Sequence, residues 1–375
     1  MAQQIITAAG NYAALDAWLE GKKTLLVHDP SLKLLKGISR HLEELEEQGA
    51  EIVRFSGFQP NPLYESVVDG VNLCREQGCS AIMAIGGGSA MDVAKCIKLY
   101  RYMDPDRSYL EQAIVPNDLP FLAMPTTAGT GSETTRYAVI YENGVKQSVT
   151  HESCIPQTVL LDSSVLETLP LYQKKATMLD ALCHAIEAFW SVNSTEESQA
   201  YSQEAIGLIR ANLQGYLDNT EAGNGGMLRA ANLAGKAINI AQTTAGHAMC
   251  YKITSLFGCA HGHAAALCLR KLFPWMLPRL DRCVDPRGQD HLGKTMQALA
   301  DAMGCETPAE AAAWFEQLFD ALELAVPAAS PEQFRVLCVS VNPVRLKNFP
   351  IRLEKADIDA LYHQILPAQR EKENA

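Results

Sequence analysis

The sequence lacks the features that mark membrane-spanning, secreted and nucleic-acid-binding proteins. It has no run of about 18 apolar residues, so it predicts no transmembrane helix, and its first residues lack the basic and apolar regions of a signal peptide. It also has no cluster of Lys and Arg, and 43 acidic against 32 basic residues give a formal net charge of −11. We therefore expect a cytoplasmic protein that has neither a membrane nor a nucleic acid as a partner.

Cysteine pairs of the metal-binding or disulfide type are absent as well. The eleven cysteines are an odd number, and no two of them have the CxxC spacing. We interpret them as reduced thiols. Five lie in apolar helical segments and are predicted for the core: Cys74, Cys96, Cys183, Cys250 and Cys268. Because 47% of the 375 residues are hydrophobic, the chain can bury a core, and its length indicates two or three domains.

The pattern of the chain changes near Pro170. Before it, short apolar runs alternate with helical periodicity, which indicates an α/β fold with a doubly wound, mostly parallel sheet. Strands are predicted within 24–29, 50–55, 80–88 and 121–133, and helices over 32–49 and 64–78. From Leu171 onward the pattern is almost entirely helical. The sequence therefore predicts an α/β half over 1–170 and an all-helical half over 171–375.

Two turns in the α/β half are rich in glycine and hydroxyl groups. The first, "GGGS" (86–89), joins a predicted strand to a predicted helix, where backbone N–H groups and the helix dipole favour a phosphate. It is not the GxGxxG fingerprint of dinucleotide-binding folds. The second, "PTTAGTGSE" (125–133), offers the hydroxyls of Thr126, Thr127, Thr130 and Ser132. Either turn alone is compatible with a purely structural role, but two on one sheet favour a nucleotide.

Asp29 follows the first predicted buried strand. At such a position a carboxylate accepts a hydrogen bond from a ribose 2′-OH and repels a 2′-phosphate. The residue therefore favours NAD(H) over NADP(H). The alternative is an ordinary turn residue before Pro30.

Three of the nine histidines fall within residues 245–263. If this stretch were one straight helix, His247 and His261 would lie roughly 21 Å apart. One ion therefore binds both only if the helix is interrupted, and Gly258 and Gly262 favour an interruption.

A second pair of metal-binding residue types lies in "DALCHAIE". Asp180 and His184 have the i, i+4 spacing that puts both side chains on one face of a helix. With His247 and His261 they form a set of one carboxylate and three imidazoles, which suits Fe(II), Zn or Mn. For any one of these histidines alone, the alternative is a hydrogen-bonded residue of the core.

Two further residues adjoin this set. His263 points away from His261 on a helix, so we expect it to line a pocket or to contact a ligand residue rather than to bind the ion. Glu187 lies one turn after His184, and we expect it on the solvent face of its helix, with contact to a ligand residue as the alternative.

These motifs together resemble the iron-containing (group III) alcohol dehydrogenases. "GGGSAMD", "PTTAGTGSE", "DALCHAIE" and the 14-residue step from His247 to His261 occur in that family's order and approximate spacing. The resemblance covers nearly the whole chain. It implies a dinucleotide-binding domain over 1–170, a metal- and substrate-binding domain over 171–375, and one divalent metal in the cleft between them, Fe(II) first with Zn or Mn as alternatives. We also expect a homo-oligomer, a dimer.

The resemblance also implies roles for single residues. The metal ligands are Asp180, His184, His247 and His261, and the cofactor contacts are Gly87, Gly88, Ser89, Thr126, Thr127 and Ser132. Asp29 is similar to the family's ribose-binding acid, Asn61 to a cofactor neighbour and Lys146 to a lysine near the nucleotide. Tyr251 departs from the pattern, because many members have a histidine there. The proton relay therefore passes to Tyr251, His263 or water.

Two segments, 243–269 and 341–351, resemble one branch of the family, the phosphonoacetaldehyde reductases. That branch requires cations for a phosphonate dianion, and the candidates are Arg136, Lys252, Arg345 and Lys347. For each, the alternative is a solvated surface charge. The sequence thus predicts NAD(H)-linked reduction of phosphonoacetaldehyde to 2-hydroxyethylphosphonate. The alternatives are a dehydrogenase for simple primary alcohols or aldehydes and an NAD-using lyase or cyclase similar to dehydroquinate synthase.

Overall fold

A computed structural model describes residues 3–8, 10–341 and 343–369, without the side chains of Val344 and Arg345. The chain divides into two compact units. The first comprises Met1–Pro170 and Asn212–Gly235, and the second Leu171–Ala211 and Lys236–Ala375. The sequence had assigned residues 212–235 to the helical half. They group with the first unit because their helix packs against its glycine turn: a Cβ on Gly131 would lie 2.5 Å from Cα of Gly235.

The first unit contains a six-stranded parallel sheet. Its strands are β1 (Gln4–Thr7), β2 (Thr24–His28), β3 (Ile52–Phe55), β4 (Ala81–Gly86), β5 (Phe121–Pro125) and β8 (Thr158–Leu161). They are arranged in the order β1-β8-β5-β4-β2-β3. All six residues of β4 are buried, as expected for a strand covered on both faces. The sheet and the helical second unit confirm the predicted fold class.

Helices α1 (Ala13–Leu19), α2 (Lys36–Glu47), α3 (Tyr64–Glu76) and α4 (Gly88–Tyr100) accompany this sheet. The predicted helix over 32–49 begins later than expected, because Pro30–Leu34 forms a 3-10 helix. The Asp29 carboxylate caps that segment by accepting a hydrogen bond from the backbone N–H of Ser31 (2.8 Å). The apolar run is thereby broken, and α2 starts only at Lys36.

An antiparallel hairpin of β6 (Tyr137–Glu142) and β7 (Val145–Thr150) was not predicted. Its turn residues Asn143 and Gly144 have φ of 52° and 75°, which suits a two-residue hairpin turn, and Asn-Gly between alternating residues is the sequence signal for it.

The second unit and the second segment of the first consist of helices. They are α5 (Leu171–Trp190), α6 (Glu196–Leu217), α7 (Glu221–Ala241), α8 (Ala245–Phe257), α9 (His261–Met276), α10 (Gln289–Ala302), α11 (Pro308–Ala321), α12 (Pro331–Ser340), α13 (Pro343–Leu346) and α14 (Lys355–Ile365). Helix α9 packs against both α5 and α8. Residues 178–190 of α5 are all buried, so this part of the helix has no solvent face.

Among the described residues, no helix has both the length and the apolar character needed to span a membrane. The five cysteines predicted for the core are buried.

Candidate metal centre and nucleotide-binding turns

Helix α5 presents three acidic or imidazole side chains along one buried face. Asp180, His184 and Glu187 follow one another at steps of four and three residues, so they project from successive turns in the same direction. All three are buried. An apolar helix that buries three such groups needs partners for each of them.

The predicted interruption between His247 and His261 is present. Helix α8 ends at Phe257, and Gly258 follows it with a φ of +68°, a conformation that favours glycine. Helix α9 then begins at His261. His247 and His261 therefore lie on two helices, and their ring centroids are 5.4 Å apart.

The structure brings these histidines to one carboxylate oxygen. Oδ1 of Asp180 lies 3.5 Å from Nε2 of His247, 3.9 Å from Nε2 of His184 and 4.0 Å from Nε2 of His261. The ligand atoms of Asp180, His247 and His261 lie within 4.8 Å of one another. Bonds of about 2.1 Å to one tetrahedral ion place donor atoms roughly 3.4 Å apart; the 3.5 Å between Asp180 and His247 matches this distance, and the other separations are longer.

Hydrogen bonding supports the same fit. Oδ1 of Asp180 and Nε2 of His247 are buried and have no hydrogen-bond partner in the described part of the chain. Polar atoms in this position are costly unless something binds them, and one carboxylate with three imidazoles suits Fe(II), Zn or Mn. The residues thus fit a divalent ion. The His261 side chain is 38% exposed, whereas the other three are buried, so the centre is accessible at His261.

Gly262 sets how closely α9 approaches α5. A Cβ at this position would overlap the carbonyl oxygen of Ala176 and lie 2.5 Å from Cβ of Asp180. Only glycine therefore lets His261, its neighbour, come within reach of Asp180.

The charges of the centre are strongly coupled. Burial acts to raise the pKa of Asp180, but the attraction of His184, His261 and His247 outweighs it, so the pKa lies below its usual range. Burial likewise acts to lower the pKa of His247, but the negative charges of Glu187 and Asp180 raise it to about 9. The Asp180 carboxylate is therefore ionised, and binding of a metal ion would release the proton that His247 carries.

The expectation that Glu187 faces solvent is wrong. Its side chain is fully buried, because α5 has no exposed face here. Its carboxylate pairs with Nδ1 of His247 and accepts hydrogen bonds from the first turn of α8. The i, i+3 step from His184 in an otherwise apolar helix is the available signal, and it indicates the alternative, contact with a ligand residue.

The two candidates for the proton relay lie in different surroundings. The Tyr251 ring stacks against His261, with centroids 5.5 Å apart and planes 23° from parallel. His263 is buried against Tyr172 and Phe319, and its Nδ1 is 3.2 Å from the Tyr172 hydroxyl. That hydroxyl accepts a hydrogen bond from the N–H of Ala260 (2.9 Å), so His263 has the contacts of a residue that supports the start of α9.

The glycine-rich turns meet at the carboxyl ends of neighbouring strands β2, β4 and β5. A Cβ on Gly87 would lie 3.5 Å from Thr127, and one on Gly88 would lie 3.3 Å from Thr130. Asp29 joins them, since its Oδ2 lies 3.4 Å from the backbone N of Gly87. Ser89 lies in the first turn of α4, and Thr126 donates its N–H to the carbonyl of Gly86 (3.0 Å).

A buried lysine outside the predicted set of site residues supports the second turn. Nζ of Lys95 donates hydrogen bonds to the hydroxyls of Ser132 (2.9 Å) and Thr135 (3.1 Å) and to the carbonyl of Tyr137 (2.7 Å). Ser132 in turn donates to Oδ1 of Asp92 (3.2 Å). Burial raises the pKa of Asp92 to about 6, against the attraction of Lys95.

The other two predicted cofactor neighbours lie on the hairpin and the segment beside it. The N–H of Tyr141 bonds the carbonyl of Pro62 (2.8 Å), which fixes the exposed Asn61 next to strand β6. Lys146 is directly across the hairpin from Tyr141, and its charge acts on Asp92.

The four candidate substrate cations belong to different segments of the chain. Arg136, in the first unit, is paired with Glu152 at 2.7 Å and is partly exposed, which supports the surface-charge alternative. Lys252 lies on α8, one residue after Tyr251. Lys347 is exposed just after α13, which packs on α8, and the Arg345 side chain lies outside the described part.

Comparison with known proteins places the whole arrangement in one family. The model of the iron-containing alcohol dehydrogenases matches residues 2–163, and the model of the family's C-terminal part matches residues 174–366. Phosphonoacetaldehyde reductase of Streptomyces viridochromogenes is 34% identical over 295 residues, 74% of each chain. The 1,3-propanediol dehydrogenase of Citrobacter freundii is 35% identical over 259 residues, 67% of each chain.

The fold agrees with solved structures. The alcohol dehydrogenase from Oenococcus oeni superposes with a TM-score of 0.85 at 25% identity, over 97% of this chain and 98% of that one. Because family models match both units over most of their length, the chain belongs to the iron-containing alcohol dehydrogenase family.

Proposed function

We propose that this chain is an NADH-dependent aldehyde reductase that converts phosphonoacetaldehyde to 2-hydroxyethylphosphonate with Fe(II) as its metal. The members of its family are oxidoreductases. The observation that carries the proposal is the convergence of His184, His247 and His261 on the buried, unpartnered Oδ1 of Asp180. The relatives described above are a dehydrogenase and a reductase, which favours net hydride transfer over the lyase alternative.

The four side chains would hold the ion, which when bound supplies Lewis-acid polarisation of the aldehyde oxygen. NADH supplies the hydride, and the protein aligns the nicotinamide ring with the carbonyl carbon of the substrate. Asp180 contributes the single negative charge of the set, while burial of His184 and His247 excludes water from the inner side of the centre. The exposed edge at His261 is where we place the substrate.

Tyr251 is the better candidate for the proton donor. Its ring lies flat against His261 at the exposed edge, where its hydroxyl can pass a proton to an alkoxide. His263 instead contacts Tyr172 and Phe319, so we assign it a supporting role.

NADH is the proposed nucleotide because of Asp29. Its carboxylate is held at the turn by Ser31 and lies against Gly87, where it accepts a ribose 2′-OH and repels a 2′-phosphate. We expect kcat/KM for NADH to exceed that for NADPH by at least tenfold, and Asp29→Ser to reduce the difference. The dimeric state and the cytoplasmic location stay predictions.

A phosphonate substrate is supported by the similarity to the reductase from Streptomyces and by the basic residues Lys252 and Lys347 near α8. Simple aldehydes are the second candidate, because the propanediol dehydrogenase relative has a similar identity.

The test offers Fe(II)-loaded protein phosphonoacetaldehyde and, separately, butanal, and follows NADH oxidation by absorbance. A kcat/KM at least tenfold higher for the phosphonate supports the assignment. Equal values discard the phosphonate and leave a general aldehyde reductase. No oxidation of NADH by either would overturn the reductase itself.

A matched pair of variants sharpens this test. Lys252→Gln should lower kcat/KM for the phosphonate by about tenfold, since a hydrogen bond to a charged group contributes about 1.5–3 kcal/mol, and should leave butanal unaffected. Lys294→Gln, an exposed lysine on α10, is the control and should change neither value.

A further inference from the structure

We infer that Glu187 is a positioning residue for the metal centre: it fixes His247 with the proton on Nδ1 and the lone pair of Nε2 directed at the ion. This inference rests on the proposed metal site. It adds a residue that binds no substrate, cofactor or metal itself.

The carboxylate of Glu187 divides its two oxygens between two tasks. Oε1 accepts hydrogen bonds from the hydroxyl of Thr244 (2.5 Å) and from the backbone N–H of Thr244 (3.2 Å) and Gly246 (2.8 Å). These are N–H groups at the start of α8 that have no partner inside the helix. A Cβ on Gly246 would lie 3.0 Å from Oε1, so the glycine gives the carboxylate its close approach.

The second oxygen faces the metal ligand. Oε2 accepts from the backbone N–H of His247 (3.3 Å) and pairs with its Nδ1. A carboxylate can only accept at this position, so Nδ1 must carry a proton. In the neutral imidazole Nε2 is then the unprotonated nitrogen, and it lies 3.5 Å from Oδ1 of Asp180. Such a partner fixes the ring orientation and raises the basicity of a metal-binding histidine.

The contacts that begin helix α8 therefore also place His247: Oε1 of Glu187 holds the N–H groups of Thr244 and Gly246, and Oε2 holds His247 itself.

An amide at position 187 cannot do both tasks. If its oxygen stays on the N–H groups of Thr244 and Gly246, its NH2 group faces Nδ1 and favours the tautomer with a proton on Nε2. If it turns over, the NH2 group faces two N–H donors. The first arrangement blocks metal binding and the second leaves donors unpaired.

The test measures the affinity of metal-free protein for Co(II), by its visible absorption and by competition with a chelator. Glu187→Gln should raise the Co(II) Kd by about 10- to 100-fold and leave the NADH Kd unchanged. Thr244→Val removes one bond to Oε1 without touching Nδ1, and should lower the melting temperature while keeping the Co(II) Kd. Asp162→Asn, an equally buried carboxylate that accepts from Tyr12 and Ser164, controls for the loss of a buried charge.

A Co(II) Kd unchanged in Glu187→Gln would overturn the inference and leave the proposed function standing. Failure of the wild-type protein to bind Co(II) at all would overturn both. If Glu187→Gln does not fold, the exchangeable Nδ1–H proton signals of the wild-type Co(II) protein decide. One of them should exchange with deuterated water far more slowly than the others, and equal exchange would refute the role of Glu187.

Discussion

The proposed nucleotide-binding turns and the proposed metal centre would bind charged groups in opposite ways. The turns offer backbone N–H groups and short hydroxyls at strand ends, and glycine provides the space, as Gly87 and Gly88 do against Thr127 and Thr130. The metal centre offers side chains from three helices, which converge from α5, α8 and α9. A site built from backbone N–H groups depends on the local conformation of the chain, whereas a site built from side chains depends on the neighbouring residues that hold each ligand in position.

The substitution with the largest expected effect should abolish function at the metal centre and leave NADH binding intact. Asp180→Asn removes the proposed carboxylate ligand and the negative charge of the centre. Metal affinity should therefore fall more than 100-fold, which exceeds the effect of removing a residue that only hydrogen-bonds to a ligand. Turnover should be lost with it. The NADH Kd, measured by fluorescence titration, should stay within a factor of about two. A variant that keeps both its metal and its rate would contradict the ligand assignment.

A substitution of Gly131 tests the glycine-rich turns. At Gly131, φ is +58° and a Cβ would lie 2.5 Å from Cα of Gly235, so Gly131→Ala combines backbone strain with a steric clash. We expect a loss of about 3 kcal/mol in the free energy of unfolding and a roughly tenfold weaker NADH affinity, with the Co(II) affinity retained. Denaturant titration and ligand titration measure these changes.

Gly144→Ala is the control, because Gly144 has a φ of +75° but open space around it. It should lose only the 1–2 kcal/mol of backbone strain and keep its affinity for NADH. Equal effects of the two substitutions would show that strain alone, and not the contact with α7, governs the turn.

The smallest effect concerns the buried charges beneath the second turn. Burial raises the pKa of Asp92 from 3.8 to about 6, so between these pH values the folded state holds a proton that the unfolded state has released. Stability from this group therefore falls as the pH rises from about 4 to 6, by about 2 kcal/mol once partial solvent exposure is allowed for. In Asp92→Asn this decrease should be absent, and denaturant midpoints of both proteins across the window would detect it. Parallel curves would contradict the assigned shift.

The sequence predicted most of the fold because its signals are local. Alternating apolar runs identified the parallel strands, and the glycines near His261 identified the interruption between α8 and α9. The late start of α2 was missed because the Asp29 cap competes with helix formation over an apolar stretch. The hairpin β6–β7 was missed although Asn143 and Gly144 gave a signal for it.

The sequence predicted which residues of the candidate site could bind the ion, but not which residues hold them in position. The spacing of Asp180 and His184 and the two histidines beyond them suggested the ion, and the structure brings all four together. The i, i+3 step from His184 was a local signal for Glu187, but its role depends on which helix covers α5, and the sequence does not predict that contact. Lys95 was missed for the same reason, since its three acceptors lie 37 to 42 residues away in the chain.

The packing of Gly262 has a consequence for how this centre tolerates mutation. Every single-base change of a glycine codon that alters the residue adds at least a Cβ or stops translation, and here even a Cβ would overlap the Ala176 carbonyl. Although Gly262 binds no ion itself, we therefore expect its substitution to be tolerated as poorly as substitution of His261 beside it. Exchanging the ligands alone will therefore not change the spacing of α5 and α9 that Gly262 sets. To bind a larger ion, α5 will have to change before the ligands do.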